Sequence, residues 1–418
     1  MKKSSYLMLL LPCGLPFVAA ALYPETYRAL QADSFFLFTT DFFHEKLHYQ
    51  SFFGWLASLF LQFFRWPFVA AALQAFFALC VTLLLTWLTC RLFPKKSGSF
   101  QQPLSLALST LFVSLCFIFL FPLPSGSIQS STILFTSQTQ KNETYYRILR
   151  AAEEERWNDV RTLIWQSGEA RTRLMQAYLL LAESAQGTLP ENLFSYPIND
   201  SEDFLFRHER NRYTCQFNRL FYRNLEVWDE AFHQAQEYYL LQPDACCFSS
   251  LTQMVDYSIR AHEYAVAEKY LTILGKAPFY GSYVKEQRLR IIEQQRMDSG
   301  ADSSDIPLRA DNFVGGYPFN SEMLRLVKYT THNKRKAYDY LLCSLLLQKN
   351  LPHFRIIFEA FPFYRDASLP EPYRQALRIL ETNGQGLNPN CSSGSYEYYY
   401  QYTAIPEPNQ KMLQSTGH

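Results

Sequence analysis

The sequence has little excess charge of either sign, with 39 basic and 38 acidic residues and a net charge of +1. Without a basic surplus, nothing in the overall charge indicates a nucleic-acid partner. None of the nine cysteines forms a C-x-x-C motif, which excludes a thioredoxin-like redox motif and a zinc ribbon. Strand-like alternation of polar and apolar residues is also scarce. These absences favour a helical protein that binds no nucleic acid.

Acidic residues and histidines are missing altogether between Tyr49 and Asn142. The chain is predominantly apolar up to about residue 125, and beyond it the charge content is ordinary. A composition split in this way is typical of a membrane anchor followed by a water-soluble domain. We therefore predict an anchor over 1–124.

Uncharged stretches within the anchor have lengths that suit membrane helices. Residues 66–90 would form a helix of about 37 Å, longer than the roughly 30 Å hydrocarbon core. Residues 103–121 are also just long enough to span. We interpret 6–22 as a first, uncleaved span, although 19–21 would also suit a signal-peptide cleavage site. Residues 51–64 are too short for an untilted span, and we interpret them as interfacial or re-entrant.

The orientation follows from basic residues beside the spans, which are Lys2, Lys3, Arg91, Lys95 and Lys96. With three spans, both groups lie on the cytoplasmic side, as the positive-inside rule requires. A fourth span at 51–64 would put the second group outside, so three spans are preferred. The sequence therefore predicts an inner (cytoplasmic) membrane protein with its soluble domain facing the periplasm.

The soluble part divides into three segments by composition. Residues 125–140 are rich in Ser, Thr and Gln and are interpreted as a linker. Apolar residues at three- and four-residue spacing predict a helical domain over 141–382. Residues 383–418 are rich in Gly, Asn, Ser and Pro, which predicts a largely disordered tail. The tyrosines of 396–402 could instead dock on the helical array.

A repeat is visible within the helical domain when 218–244 is compared with 254–279. The corresponding pairs lie 35 or 36 residues apart, namely Trp228 with Tyr264, Ala231 with Ala267, and Pro243 with Pro278. A helical pair cannot bury its apolar face alone, so such pairs stack, and small residues let them approach closely.

These residues resemble the tetratricopeptide repeat (TPR), whose period is 34 residues. Tyr222, Ala231 and Pro243 fall where that family places a Tyr, a small residue and the closing Pro, whereas Arg219 and Tyr238 depart from the pattern. The resemblance implies an all-α fold in which a TPR-like α-solenoid of helical hairpins follows the transmembrane helices. The groove positions that it implies are Tyr213, Gln216, Arg223 and Asn224, which suit an extended peptide.

Three longer stretches are similar to a group of Bacteroidota membrane proteins with no assigned activity. They are LQADSFFLFTTDFF near the first span, YTCQFNRLFY at 213–222, and the stretch from FVGGYPFN to NLPHF at 313–354. That resemblance implies a membrane protein with polytopic N-terminal segments and a TPR-like soluble domain, and it supplies no function.

Two sets of residues match patterns that are found at catalytic sites. His44, Glu45 and His48 match the H-E-x-x-H pattern of zinc proteases, but a catalytic zinc needs a third protein ligand that the sequence does not indicate. Asp33 and Asp41 follow the first span, where lipid-linked sugar transferases place an essential acid. We interpret the histidines as a coincidental interfacial pair and the two aspartates as solvated loop acids.

The mixed-charge run 207–212 is interpreted as a solvated helix start, with a phosphate or acidic-peptide site as the alternative. The five cysteines of the soluble part are expected to be buried thiols packed between helices.

The sequence therefore predicts a membrane-anchored, extracytoplasmic TPR-like scaffold for protein–protein interaction. Its expected partners are the lipid bilayer and a protein or peptide of the cell envelope, and no cofactor, catalytic residue or metal ligand is assigned. The alternative is a cell-envelope enzyme, either a zinc metalloprotease through residues 44–48 or a sugar-transferase-like component.

Overall fold

The computed structural model is helical throughout the residues that it describes. These residues are 3–49, 52–92, 101–120, 137–198, 200–242, 246–300, 318–329, 334–364, 368–385 and 387–403. No strand occurs among them, which confirms the predicted all-α class.

The first helices in chain order are α1 (Lys3–Leu22), α2 (Pro24–Ala32), α3 (Thr40–Tyr49), α4 (Phe52–Leu61), α5 (Pro67–Leu92), α6 (Gln101–Leu120), α7 (Ser137–Glu153), α8 (Trp157–Ser167), α9 (Arg173–Gln186) and α10 (Leu189–Asn192). They are followed by α11 (Arg212–Asn224), α12 (Trp228–Leu240), α13 (Phe248–Arg260), α14 (Tyr264–Leu274), α15 (Gly281–Gly300), α16 (Phe319–Tyr329), α17 (Lys334–Leu347), α18 (Leu351–Ala360), α19 (Glu371–Glu381) and α20 (Tyr396–Tyr402). Short 3-10 turns cover Gln62–Arg65, Leu193–Ser195 and Ser201–Phe204.

The helices are distributed over two compact units. The first unit comprises Met1–Leu149, Tyr239–Ile259 and Glu263–Gln294. The second comprises Arg150–Tyr238, Arg260–His262 and Gln295–His418. Each unit is built from segments that are distant in the sequence, so neither could be recognised as one continuous stretch.

In the first unit, helices α1, α5 and α6 pack against one another. Small side chains make this approach possible, because Ala19, Ala20, Ala70 and Ala71 are buried in one cluster. Several large apolar side chains of α5 nevertheless lie at the surface, and Phe77 is 61% exposed. An apolar surface of this kind is unusual for a helix surrounded by water.

The three predicted spans all form helices, although only one meets a length-and-hydropathy test for crossing a membrane. Among the described residues, Pro67–Thr89 is long and apolar enough, whereas Leu11–Leu22 and Ser105–Ser114 are shorter apolar stretches. Pro12 and Pro16 lie inside α1 without ending it. The three-span arrangement therefore stays a prediction.

The segment between α1 and α5 contacts residues from much later in the chain, all within the first unit. Glu143, from α7, caps the start of α2, because its carboxylate accepts hydrogen bonds from the Thr26 backbone N–H and hydroxyl, both at 2.8 Å. Further along, the Phe38 N–H donates to the Lys276 carbonyl at 2.9 Å, and the Phe248 N–H to the Ser34 carbonyl at 3.1 Å.

In the second unit, α17 is the central helix and is buried from Ala337 to Leu347. It contacts α9, α10, α16 and α18. Buried Glu183 of α9 is held by Thr188, Asn192, Tyr196 and Arg161 at 2.6 to 3.0 Å. Burial would raise the pKa of Glu183, but these hydrogen bonds outweigh it, so the pKa lies below its usual value.

The repeat that the sequence predicts coincides with two helix pairs, α11 with α12 and α13 with α14. The small residues Ala231 and Ala267 are both fully buried, as close helix packing requires. The helical pairs are thus present, while their assembly into a solenoid stays a prediction.

The C-terminal segment departs from the predicted disorder. Helix α20 lies within it, and Tyr396 is fully buried against the ring of Phe194, with ring centroids 5.1 Å apart. The Tyr399 hydroxyl donates to the Leu347 carbonyl at 2.8 Å. The tyrosines supply the apolar area that the flanking Gly, Asn and Ser residues lack, so docking on the helices replaces disorder over 387–403. Residues 404–418, like 125–136 of the predicted linker, lie outside the described residues.

Candidate functional site

The four groove residues implied by the TPR resemblance are placed in different surroundings. Tyr213 is 42% exposed, whereas Gln216 is buried and accepts a hydrogen bond from Arg219 at 2.9 Å. Arg223 and Asn224 together line a small cavity of about 170 Å³, which neither Tyr213 nor Gln216 reaches. The structure therefore brings two of the four residues together.

The polar groups of Arg223 and Asn224 are engaged within the second unit. Arg223 forms ion pairs with Glu153 at 3.1 Å and with Glu155 at 2.6 Å. The Asn224 amide donates to Ser184 at 3.0 Å and accepts from Lys336 at 2.8 Å. A partner would have to displace these contacts to use the two side chains, whereas 42% of the Tyr213 surface is exposed.

The H-E-x-x-H residues lie on α3, with His44 and His48 both exposed. Within the described residues, no group of three or more His, Cys, Asp or Glu side chains is arranged to hold a metal ion. Asp33 accepts a hydrogen bond from the Ser249 hydroxyl at 3.1 Å, and Asp41 is exposed at the start of α3.

Cys13, Cys80 and the five cysteines of the soluble part are free thiols. Of the five cysteines in the soluble part, Cys215, Cys247 and Cys343 are buried, as predicted, whereas Cys246 and Cys391 are only half-buried. Burial raises the pKa of Cys215 and of Cys247 to about 11. Both thiols are therefore protonated at neutral pH and are poor nucleophiles.

A larger cavity of about 400 Å³ opens within the second unit. Ionisable and hydrogen-bonding side chains dominate its wall, and those used below are Arg207, Tyr222, Glu230, His233, Glu237 and Glu322. We call this cavity the Glu322 pocket.

Glu322 lies in the first turn of α16, where the helix dipole favours a negative charge. Its side chain is about 1% exposed. One carboxylate oxygen accepts a hydrogen bond from the Tyr222 hydroxyl at 2.7 Å, and the other accepts from Arg207 at 3.0 Å. Burial raises the pKa of Glu322 to about 7, although Tyr222 and Arg207 both act to lower it.

The position of Arg207 is fixed through the backbone of the preceding residue, Phe206, which the Asn218 side chain holds. The Asn218 side chain donates to the Phe206 carbonyl at 2.7 Å and accepts from the Phe206 N–H at 3.1 Å. The Arg207 guanidinium also lies over the Phe319 ring, 5.5 Å from its centroid.

A second acidic group borders the same pocket. Buried Glu230 accepts hydrogen bonds from His233 at 2.9 Å and from Gln234 at 3.0 Å. His233 also lies 3.3 Å from Glu237. The hydrogen bond to Glu230 is the main cause that raises the pKa of His233 above its usual value. The pocket thus holds two buried carboxylates, and the pKa of one of them, Glu322, is about 7.

Sequence reasoning did not assign the Glu322 pocket. Its residues come from four separate stretches, so no local motif joins them. The interpretation of 207–212 as a solvated helix start holds for Asn211, whose side chain caps α11 in a capping box. It fails for Arg207, because that side chain is drawn inward by Glu322. One indication of the pocket was present in the sequence. Tyr222 and Glu322 lie in the stretches 213–222 and 313–354, two of the three that show a resemblance to other proteins.

Comparison with known proteins identifies a family but no characterised relative. No curated protein and no solved structure matches the chain. A family of unknown function (DUF6057) matches residues 98–411, which include the third predicted span, the repeat and the whole Glu322 pocket. Because this match covers most of the sequence, the chain belongs to that family.

Proposed function

We propose that the protein is a membrane-anchored interaction protein whose helical domain holds an envelope protein or peptide outside the cytoplasm. The proposal rests on the hydrogen bonds that residues 24–38 form with residues that follow α6 in the chain. Glu143 caps α2, and the Phe38 N–H bonds to the Lys276 carbonyl. Both contacts require the loop after α1 and the domain after α6 to be on the same face of the membrane.

An odd number of crossings after that loop would break these contacts. If 51–64 spanned the membrane, three crossings would separate Thr26 from Glu143, and the two residues would lie on opposite faces. With α5 and α6 as the crossings that follow the loop, both lie on one face. The same conclusion holds whether or not residues 6–22 are retained as a first span.

The choice of face follows from the basic residues. Arg91, Lys95 and Lys96 lie between α5 and α6, and Lys2 and Lys3 precede α1. The positive-inside rule favours both groups in the cytoplasm. We therefore propose the inner (cytoplasmic) membrane as the location, with the helical domain in the periplasm.

The helix pairs support a TPR-like solenoid as the binding scaffold, since α11–α12 and α13–α14 bury Ala231 and Ala267 at corresponding positions. We also propose that this protein is related to the Bacteroidota membrane proteins that its sequence resembles. Within the second unit, the Glu322 pocket offers a partner side chain a cavity with polar groups already oriented. The exposed ring of Tyr213 offers an aromatic contact.

Site-specific photo-crosslinking in living cells tests this proposal. A photoreactive residue at His208, on the exposed rim of the pocket, or at Tyr213 should give a discrete adduct with one envelope protein. The same residue at Glu359, which is exposed on α18, should give none. If neither His208 nor Tyr213 yields an adduct that Glu359 lacks, the helical domain does not hold a partner there.

The enzyme alternative is supported only by the placement of His44 and His48, which are exposed on the same helix. Two imidazoles one turn apart can share a zinc ion, with Glu45 as a base. Zinc bound at near one ion per purified chain, and lost in His44→Ala, would support the protease. Equal zinc content in the wild type and the variant would eliminate it.

A further inference from the structure

An apolar groove lies between α4 and α5 in the first unit and has a volume of about 280 Å³. Leu56, Ala57 and Phe60 of α4 form one wall. Leu73 and Phe77 of α5 form the other, together with Gln74. The Gln74 side-chain oxygen accepts a hydrogen bond from the Tyr27 hydroxyl at 3.0 Å, so its acceptor does not need a partner in the groove.

The spacing of the lining residues explains why the groove is continuous. Ala70, Leu73 and Phe77 follow one another at three- and four-residue intervals, so they share one face of α5. Ala57 and Ala70 have small side chains, and they leave the space that bulkier residues would fill. Phe60 and Phe77 are both exposed and flank this space. The groove is therefore apolar, with an exposed aromatic ring from each helix at its sides.

A cation lies at the end of the groove where α4 is joined to α5. Arg65 closes the 3-10 turn that begins at Gln62, directly after the lining residue Phe64. Its guanidinium donates to the Phe279 carbonyl at 3.2 Å. It also lies over the rings of Tyr280 and Trp66, at 5.2 and 5.9 Å from their centroids.

Arg65 has no acidic partner within the described residues. Its neighbours are a carbonyl and two aromatic rings, and none of these neutralises its charge. An arginine in this situation retains donors for an anion, and phosphate is an anion that the guanidinium group binds well. Aromatic side chains such as Trp66 are also typical of the membrane interface.

We propose that this groove binds one phospholipid, with an acyl chain between α4 and α5 and the phosphate on Arg65. Two observations favour a phospholipid, namely the cation Arg65 directly after the lining residue Phe64 and the membrane-compatible length of α5. The inference rests on the proposed membrane anchoring. It goes beyond that proposal because it assigns a specific lipid site to one face of α5.

Native mass spectrometry of the detergent-solubilised full chain, titrated with phosphatidylglycerol, tests the site. One lipid should bind the wild-type chain. Ala57→Trp should abolish this binding because the indole fills the groove. Arg65→Gln should weaken it about fivefold, since a cation near lipid phosphate contributes about 1 kcal/mol.

Matched controls lie elsewhere on α5. Arg91 stacks on Trp87 at the opposite end of the helix, as Arg65 does on Trp66. Leu84 is 60% exposed and does not line the groove. Arg91→Gln and Leu84→Trp should leave the bound lipid unchanged, and all four variants should retain the wild-type helical content by circular dichroism.

Two outcomes would overturn the lipid site, namely no lipid bound by the wild-type chain, or equal losses in groove and control variants. Alkaline extraction of membranes distinguishes this failure from failure of the anchoring. A chain that resists extraction but binds no lipid is anchored without the site. A chain that is released contradicts both proposals.

Discussion

Glu322 and Asp339 are acidic residues that the second unit removes almost completely from water. The hydroxyls of Tyr364 and Tyr373 donate to Asp339 at 2.6 and 3.2 Å. Burial is the main cause that raises the pKa of Asp339 to about 6 and of Glu322 to about 7. A carboxyl group whose pKa is raised by folding binds its proton more tightly in the folded chain than in the unfolded chain.

The first prediction concerns the pH dependence that Glu322 imposes. Between its ordinary pKa of 4.5 and about 7, the folded chain holds a proton that the unfolded chain has lost. Stability therefore falls as pH rises through this window, by roughly 3 kcal/mol for this group. We expect Glu322→Gln to remove that part of the fall, as measured by unfolding of the detergent-solubilised chain between pH 5 and 8.

Glu209 provides a matched comparison, because it borders the same pocket but is exposed. Glu209→Gln should leave the pH dependence as in the wild type. If Glu322→Gln and Glu209→Gln give the same profile, the Glu322 carboxyl does not titrate in this window.

The second prediction concerns Arg219, which is fully buried and pairs with Glu153. Arg219→Leu removes this pair and leaves the buried Gln216 oxygen without its donor, while Glu153 keeps Arg223 as a partner, so the variant should cost about 1–3 kcal/mol of unfolding free energy. Arg156→Leu, which breaks an exposed pair with Glu154, should cost less than about 1 kcal/mol. Chemical denaturation of both variants measures the difference, and similar costs would contradict the importance of the buried pair.

At the scale of elements, the sequence predicts helices well where the pattern is local. The uncharged run 66–90 becomes α5, and the segments around Ala231 and Ala267 become helix pairs. Local composition fails for α20, because the ordering of Tyr396 comes from Phe194, about 200 residues earlier in the chain. Packing partners that are distant in sequence do not appear in any local window.

The candidate site was missed for the same physical reason. Glu322 is ordinary in sequence, and only the fold places Tyr222 and Arg207 against it. The TPR resemblance assigned Gln216 and Asn224 to a groove from their helical positions. It did not predict that Arg219, which stands where a glycine is usual, would be buried and would donate a hydrogen bond to Gln216.

The third prediction concerns the docking of α20. Tyr396 is fully buried and Tyr402 is 55% exposed on the same helix. Tyr396→Ala should destabilise the chain by about 3–5 kcal/mol, the range for truncating a buried aromatic ring. Tyr402→Ala should change stability by only about 0.5 kcal/mol.

Limited proteolysis, alongside denaturation, follows this element directly. The tail should be cut faster in Tyr396→Ala than in Tyr402→Ala. Equal cutting rates would mean that α20 is not held by the buried ring.

For the whole molecule, we propose that the loop after α1 and the domain after α6 lie on the same face of the membrane. Several contacts support this proposal, including those of Glu143 with Thr26 and of Ser34 with Phe248. The basic residues between α5 and α6 favour the periplasm as that face. All proposals on partners depend on this topology, because it determines the compartment in which they are found.

Protease access to a C-terminal tag in intact spheroplasts tests that topology most directly, with a cytoplasmic protein as the control for intact cells. We predict that the tag is cleaved without breaking the membrane, because the proposed orientation places the helical domain in the periplasm. A tag that is cleaved only after lysis would place the domain in the cytoplasm and would contradict the proposed orientation.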